Sequence, residues 1–229
     1  KIPSAAPQQA QSPAIAAARP AAPNPWPDAY SRRNLQLGMS LSDFKAQPYP
    51  DPDRNPNAYS VCSNEAKANG LDYLSAKLYS DQFEAAGMVK CAYFYDYQIS
   101  SNYTSIMDAG VVLGDVSVIT SFYFIPDDNG TLRLFWIDTE GPSDSFMSLQ
   151  QTMRKAYGEP QHRVETWQNK MGNTFDNDVL TWTNSSSQIE FRHFGSTINK
   201  FTLRHTLTPL WDKLSKFLDV QDDQAAKKL

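Results

Sequence analysis

The chain has 229 residues, 25 acidic and 21 basic, for a formal net charge of −4, with acids and bases mixed along its length. That balance argues against nucleic acid as a partner, because no run of lysines and arginines supplies a phosphate-binding surface, and no stretch reaches the roughly 18 consecutive apolar residues of a membrane-spanning helix. The length suits one domain with a sizeable core, built without metals.

Residues 1–34 form an Ala/Pro-rich segment: the first 27 residues hold seven of the 15 prolines and nine alanines, with no acidic side chain. Such a composition cannot build its own core and favours extended, polyproline-like chain. Its apolar anchors are Ile2, Ile15, Trp26 and Tyr30. It reads either as a solvated spacer or as an arm laid across a partner, with these anchors filling pockets. The chain opens on Lys1 rather than Met, which is what removal of an export signal leaves, so a periplasmic protein is expected.

The folded part is expected over 35–218. "LQLGMSLSDFKAQPYP" reads as a short helix capped by Ser40, with Asp43 three residues on, apolar Leu37, Leu41 and Phe44, and Pro48 as its stop. After the loop "YPDPDRNPNAY", "SVCSNEA" suits a short strand, and Leu71, Leu74 and Leu78 predict a helix near 69–85. "MVKCAYFYDYQI", "VSVITSFYFI" and "TLRLFWID" are β-branched and aromatic, with "PDDNG" as a hairpin turn between the last two. Their aromatics fall on both faces, which fits double-sided burial or an exposed adhesive face.

Phe146, Leu149, Met153 and Tyr157 then recur at helical spacing, closed by Gly158 and Pro160. "VLTWT", "IEFRHF" and "NKFTLRHTL" read as a meander whose Glu190, Arg192, Lys200, Thr202 and Arg204 alternate with apolar residues, leaving one polar face. Thr208 and Pro209 open a final helix carrying Leu210, Trp211, Leu214, Phe217 and Leu218, and 219–229 reads as a polar tail. The fold class expected is α+β: antiparallel sheet with helices on one face, with possible helix-plus-hairpin repeats at 37–138 and 142–207.

Cys62 and Cys91 are the two cysteines. They fit one disulfide or two buried thiols; in an exported chain the disulfide is favoured. No zinc or haem spacing and no phosphate-binding glycine loop occurs, and neither cysteine stands in an activating pattern. His162, His193 and His205 are the usual proton shuttles available, of which His193 and His205 suit cross-strand neighbours. Asp176 and Asp178 in "TFDNDV" fit a turn better than a cation site. Asn102, Asn129 and Asn184 begin Asn-x-Ser/Thr triplets and serve as surface markers. These residues assign no catalytic group, metal or cofactor.

"LGMSLSDFK" followed by strands, and "LQQTMRKAYGEP" followed by hairpins and a Trp-containing strand, resemble exported bacterial domains of helix-plus-hairpin units, such as outer-membrane lipoprotein and β-lactamase-inhibitor type folds. That resemblance implies protein binding. An Ala/Pro arm on a small exported domain is also similar to the small accessory subunits of membrane-bound periplasmic quinohaemoprotein alcohol dehydrogenases. This second likeness implies that quinone and haem belong to larger partner subunits. The expectation is therefore a non-catalytic accessory subunit. An exported inhibitor or ligand-binding module using Arg192, Lys200 and Arg204 is the alternative, and a small hydrolase the third.

Overall fold

The computed structural model describes residues 23–68, 74, 78 and 81–226. Ile2, Ile15 and most of the helix expected near 69–85 lie outside the described residues. The fold is α+β, as expected. A hairpin, β1 (Ser31–Arg32) and β2 (Leu35–Gln36), leads into α1 (Leu41–Ala46). Strand β3 (Tyr59–Cys62) is followed by α2 (Ser63–Ala68) and α3 (Asp81–Glu84), then by β4 (Val89–Ser100), β5 (Tyr103–Asp108), β6 (Val111–Leu113), β7 (Val116–Pro126) and β8 (Leu132–Pro142). Helix α4 (Phe146–Tyr157), strands β9 (Gln161–Gln168), β10 (Thr174–Thr183), β11 (Ser187–Arg192) and β12 (Lys200–Leu207), and helix α5 (Thr208–Ala226) complete the chain. The main sheet is antiparallel, in the order β3-β4-β7-β8-β12-β11-β10-β9. Strands from the two suggested repeats therefore join edge to edge at β8 and β12, over one shared core.

Alternation along the strands gives the sheet two faces. On the inner face Phe122, Ile137, Leu203, His205, Ile189, Phe191, Leu180 and Trp182 are buried. Phe44 of α1 packs there against Phe122, Phe124 and Tyr93, while Phe146 of α4 packs on Phe191. Helix α1 carries the expected capping box: Ser40 accepts from the Asp43 N–H and donates to the Asp43 carboxylate. Gly158 ends α4 at φ 83°, a left-handed conformation that a glycine adopts without steric cost.

Helices are not confined to one face, contrary to expectation. Ala66 of α2 packs with Val61 and Phe94 in a separate cluster that includes Ala92, on the side of β4 opposite Cys91 and Tyr93. The reason is the sequence of β4 itself, whose apolar residues occupy both faces and so require two covers.

Both ends of the domain also differ from the expected boundaries. Residues 24–36 belong to the folded unit: Ala29 and Leu35 are buried, Tyr30 N–H donates to Ser187 Oγ at 2.9 Å, and Asn184 Nδ2 donates to Asp28 O at 2.7 Å. The turn between β10 and β11 thus grips this segment. At the other end α5 runs to Ala226 rather than stopping near 218, because no glycine or proline follows Leu218 to end it. Among the described residues no helix is long and apolar enough to cross a membrane.

Cys62 and Cys91 sit directly opposite each other on β3 and β4 and form the disulfide. Replacing both by serine should lower unfolding stability by about 3.6 kcal/mol, the loop-closure contribution for this separation, read as a lower denaturant midpoint. A second constraint lies at Gly141, where a Cβ would come within 2.6 Å of Phe201 Cζ and 2.8 Å of Val118 Cγ1. Both neighbours are buried, so Gly141→Ala should cost about 1–3 kcal/mol by overpacking, measured the same way.

Candidate functional site

The outer face of the sheet carries a row of side chains set by register alone. Tyr123 of β7 lies opposite Trp136 of β8, which lies opposite Thr206 of β12 and, beyond it, Gln188 of β11. Tyr123 and Trp136 stack with ring centroids 4.2 Å apart and planes at 16°. Lys90 Nζ sits 5.5 Å from the Tyr123 ring and Arg204 Cζ 5.7 Å from the Trp136 ring. Two cations therefore bracket an aromatic pair, each facing the negative side of a ring. Trp211 of α5 meets Trp136 edge-on at 5.4 Å and 84° and remains 38 % exposed.

The next row places Glu190, Arg204 and Asp138 side by side on β11, β12 and β8. Arg204 Nε donates to Asp138 Oδ1 at 3.1 Å. Burial pushes the Asp138 carboxyl upward against the opposing pull of Arg204, and burial also lowers Lys90. Lys200 Nζ reaches Glu140 at 3.1 Å. Toward the β9 edge a closed ring of charges forms. Arg192 bonds Glu190 and Glu165, each at 2.6 Å, and Arg163 bonds Glu165 at 2.7 Å and Glu190 at 2.9 Å. Hydrogen bonds from these arginines hold the Glu165 carboxyl below its usual range; at Glu190 they outweigh a burial effect of the opposite sign. Between Trp136, Trp211, Arg204, Glu190, Gln188 and Asp212 lies a cleft of about 310 Å³.

The three cations singled out from sequence thus share this face, each already paired with an acid. Trp26 and Tyr30 do not join them. Both pack against the domain's own core, and Tyr30 meets Tyr157 edge-on at 5.4 Å. Sequence reasoning left out Lys90, Tyr123, Trp136 and Trp211. Trp211 belongs to the apolar stripe expected of its helix, and what sets it apart is its exposure beside Trp136; the others meet through strand pairing.

The histidines are placed apart from one another. His162 contacts Asp178 at 2.8 Å on the surface, His193 stacks between Phe146 and Phe194, and His205 is 1 % exposed beneath the inner face. Asp176 and Asp178 lie within β10, paired with the unforeseen β9, rather than in a turn. Among the described residues no group of three or more His, Cys, Asp or Glu is arranged to hold a metal ion. Comparison with protein families, curated proteins and solved structures finds no match to the chain.

Burial lowers His205 to about 3, with a smaller contribution from the positive charge of Arg32. Above the ordinary imidazole value of 6.5 neither state binds this proton, and the stability contribution is constant. Between 6.5 and about 3 the unfolded chain takes up a proton that the native state refuses, so stability falls as pH drops. The slope for this one group is at most about 1.4 kcal/mol per pH unit. His205→Leu should therefore lose less stability than the parent on acidification through that window. Parallel curves of urea midpoint against pH would contradict the assignment.

Proposed function

We propose that the protein is an exported, non-catalytic accessory subunit that binds and stabilises a larger enzyme complex, and that it holds its partner through the outer sheet face. The observation that carries this reading is the bracketed aromatic pair, Lys90, Tyr123, Trp136 and Arg204, flanked by Trp211 and by charges fixed in mutual pairs. Trp, Tyr and Arg in fixed orientation are the groups that dominate association energies. Charges already held by neighbours lose little further freedom when a partner docks, while their pattern selects a complementary surface. The particular partner proposed is a periplasmic quinohaemoprotein alcohol dehydrogenase, whose larger subunits would hold quinone and haem.

A second reading, an exported inhibitor or ligand-binding module, is favoured by one feature. The cleft beside Trp136 and Trp211 is lined by these two indoles together with Arg204, Glu190, Gln188 and Asp212, a lining able to orient a small polar ligand.

Because residues 24–36 are part of the domain, the N-terminal contribution to a complex is tested by deleting residues 1–22, which leaves the docked segment whole. The decisive experiment is affinity purification of the native full chain in mild detergent, with mass spectrometry and a visible spectrum of the eluate. Stoichiometric recovery of a larger haem- or quinone-bearing subunit is expected. Arg204→Glu combined with Trp211→Ala should reduce that recovery about tenfold or more, and the 1–22 deletion should weaken it. A colourless monomer would overturn the accessory reading, and one that retains a soluble ligand would favour the second.

A further inference from the structure

Strand β9 ends the main sheet, and among the described residues no strand pairs with its outer edge. It runs 8 residues against β10 in unbroken register, with no proline and no bulge. An open edge of that length presents a row of unpaired N–H and C=O groups, and natural sheets ordinarily shorten, kink or cover it. The ladder fixes which residues present them, because hydrogen-bonded and non-hydrogen-bonded pairs alternate along antiparallel strands. Asn169 N–H donates to Asn173 O at 3.0 Å, just beyond the Gln168–Thr174 pair. Asp178, opposite Val164, accepts the His193 N–H at 2.9 Å on its other side. The odd-numbered residues of β9 therefore bond β10, while His162, Val164 and Thr166 direct their main-chain groups to the open edge.

The side chains along this edge suit one pairing. Val164 is 56 % exposed, and Arg163 and Glu165 flank it on the opposite face of the strand. In a symmetric antiparallel pairing of β9 with β9, edge-facing residues meet edge-facing residues. Centred on Arg163 or on Glu165, that pairing sets like charges directly opposite, which is destabilising. Centred on His162 or Thr166, it leaves both charges without an opposite one. Centred on Val164, it sets Arg163 opposite Glu165 of the second copy and Glu165 opposite its Arg163. Val164 then meets its own counterpart, and His162 meets Thr166, as hydrogen-bonded pairs. The two charge pairs fall at the non-hydrogen-bonded positions, where side chains approach most closely. Since Arg163 and Glu165 already bond each other at 2.7 Å, the pairing extends the ring of charges across the edge and strands none of its members.

We infer that the protein forms a two-fold symmetric homodimer in which β9 pairs antiparallel with β9 of a second copy, in the register centred on Val164. A two-fold interface requires a surface that complements itself, and the charge order of β9 does so in this register. The two sheets join into one across an axis perpendicular to them. The outer faces of both copies therefore lie on the same side, and the surface around Trp136 and Arg204 is presented twice to whatever docks there. An edge-to-edge contact buries little area, which places the dimer among small, reversible interfaces.

The test is sedimentation velocity of the purified full chain from micromolar to millimolar concentration, where the mass should double. Amide hydrogen exchange at His162, Val164 and Thr166 should slow about tenfold or more on dimerisation. Val164→Pro removes an N–H that faces the open edge and leaves the β10 ladder whole, a placement proline tolerates, and this variant should stay monomeric. Arg163→Glu and Glu165→Arg each set like charges opposite and should be monomers alone. Their equimolar mixture should dimerise, because a strand with two acids then meets a strand with two bases. A chain that is monomeric throughout the range overturns the proposal, even where β9 captures a strand of another protein. A dimer undiminished by Val164→Pro, which uses another surface, overturns it too, as does a mixture of the folded charge variants that stays monomeric. Should either variant misfold, the unaltered protein decides: a dimer whose edge amides remain unprotected refutes the pairing.

Discussion

Strand β8 is the constraint on which the rest of the molecule depends. It pairs with β7 on one side and β12 on the other, and so joins the earlier and later halves of the chain into one sheet. Its period of two sends Ile137 and Thr139 to the inner face and Trp136, Asp138 and Glu140 to the outer. A slip of one residue would exchange these sets, burying a carboxylate pair and exposing Thr139, whose hydroxyl accepts from Arg32. The register is pinned locally by a bulge near Phe135 and by the buried pair of Arg133 with Asp127, 3.0 Å apart at the β7–β8 hairpin. Burial by itself would raise the Asp127 carboxyl, but hydrogen bonds from Arg133, Thr131 and Asn129 outweigh it and hold it low. Arg133 also donates to Gly38 O, so the same pair ties the hairpin to the entrance of α1.

The molecule handles charge in two contrasting ways. On the outer face every arginine discussed has a carboxylate within hydrogen-bonding reach, yet exposed pairs of this kind contribute only about 0–1 kcal/mol each to folding. Their arrangement therefore adds little to stability, and under the proposed function its pattern would serve to select a complementary surface. Inside, Arg133 is paired with Asp127 and donates as well to Gly38 O, the kind of partnering under which a buried ion pair is tolerable. Arg32 departs from that rule in the same interior, donating to the hydroxyls of Thr120 and Thr139 where a carboxylate would ordinarily stand.

How much of this was legible in the sequence follows from how local each feature is. The capping box of α1, the stripe and glycine stop of α4, the "PDDNG" hairpin and the alternating polar face of β11 and β12 are local patterns, and all appear where the residues put them. Strand β9 was missed because "QHRVETWQ" is an edge strand with mostly exposed side chains and little apolar alternation. The segment 24–34 was read as arm because prolines dominate the composition of residues 1–34. Its hold on the domain comes from the distant Asn184 and Ser187, which no local pattern reveals. The candidate site divides the same way. Arg192, Lys200 and Arg204 were visible as alternation within strands, whereas the Tyr123–Trp136 stack exists only through the β7–β8 register.

Because both faces of the sheet are built on β8, their independence has a physical basis. Thr139 faces inward to Arg32 and Asp138 faces outward to Arg204, so adjacent residues serve opposite sides of the sheet and share no side-chain partner. Substitutions confined to one face should then combine additively with those on the other, to within about 0.5 kcal/mol. Coupling between them would require the strand itself to shift. Phe201 sits over Gly141 where a side chain would clash, so a slip that brought any other residue of β8 to that position would meet it. The strand that creates both surfaces also insulates one from the other.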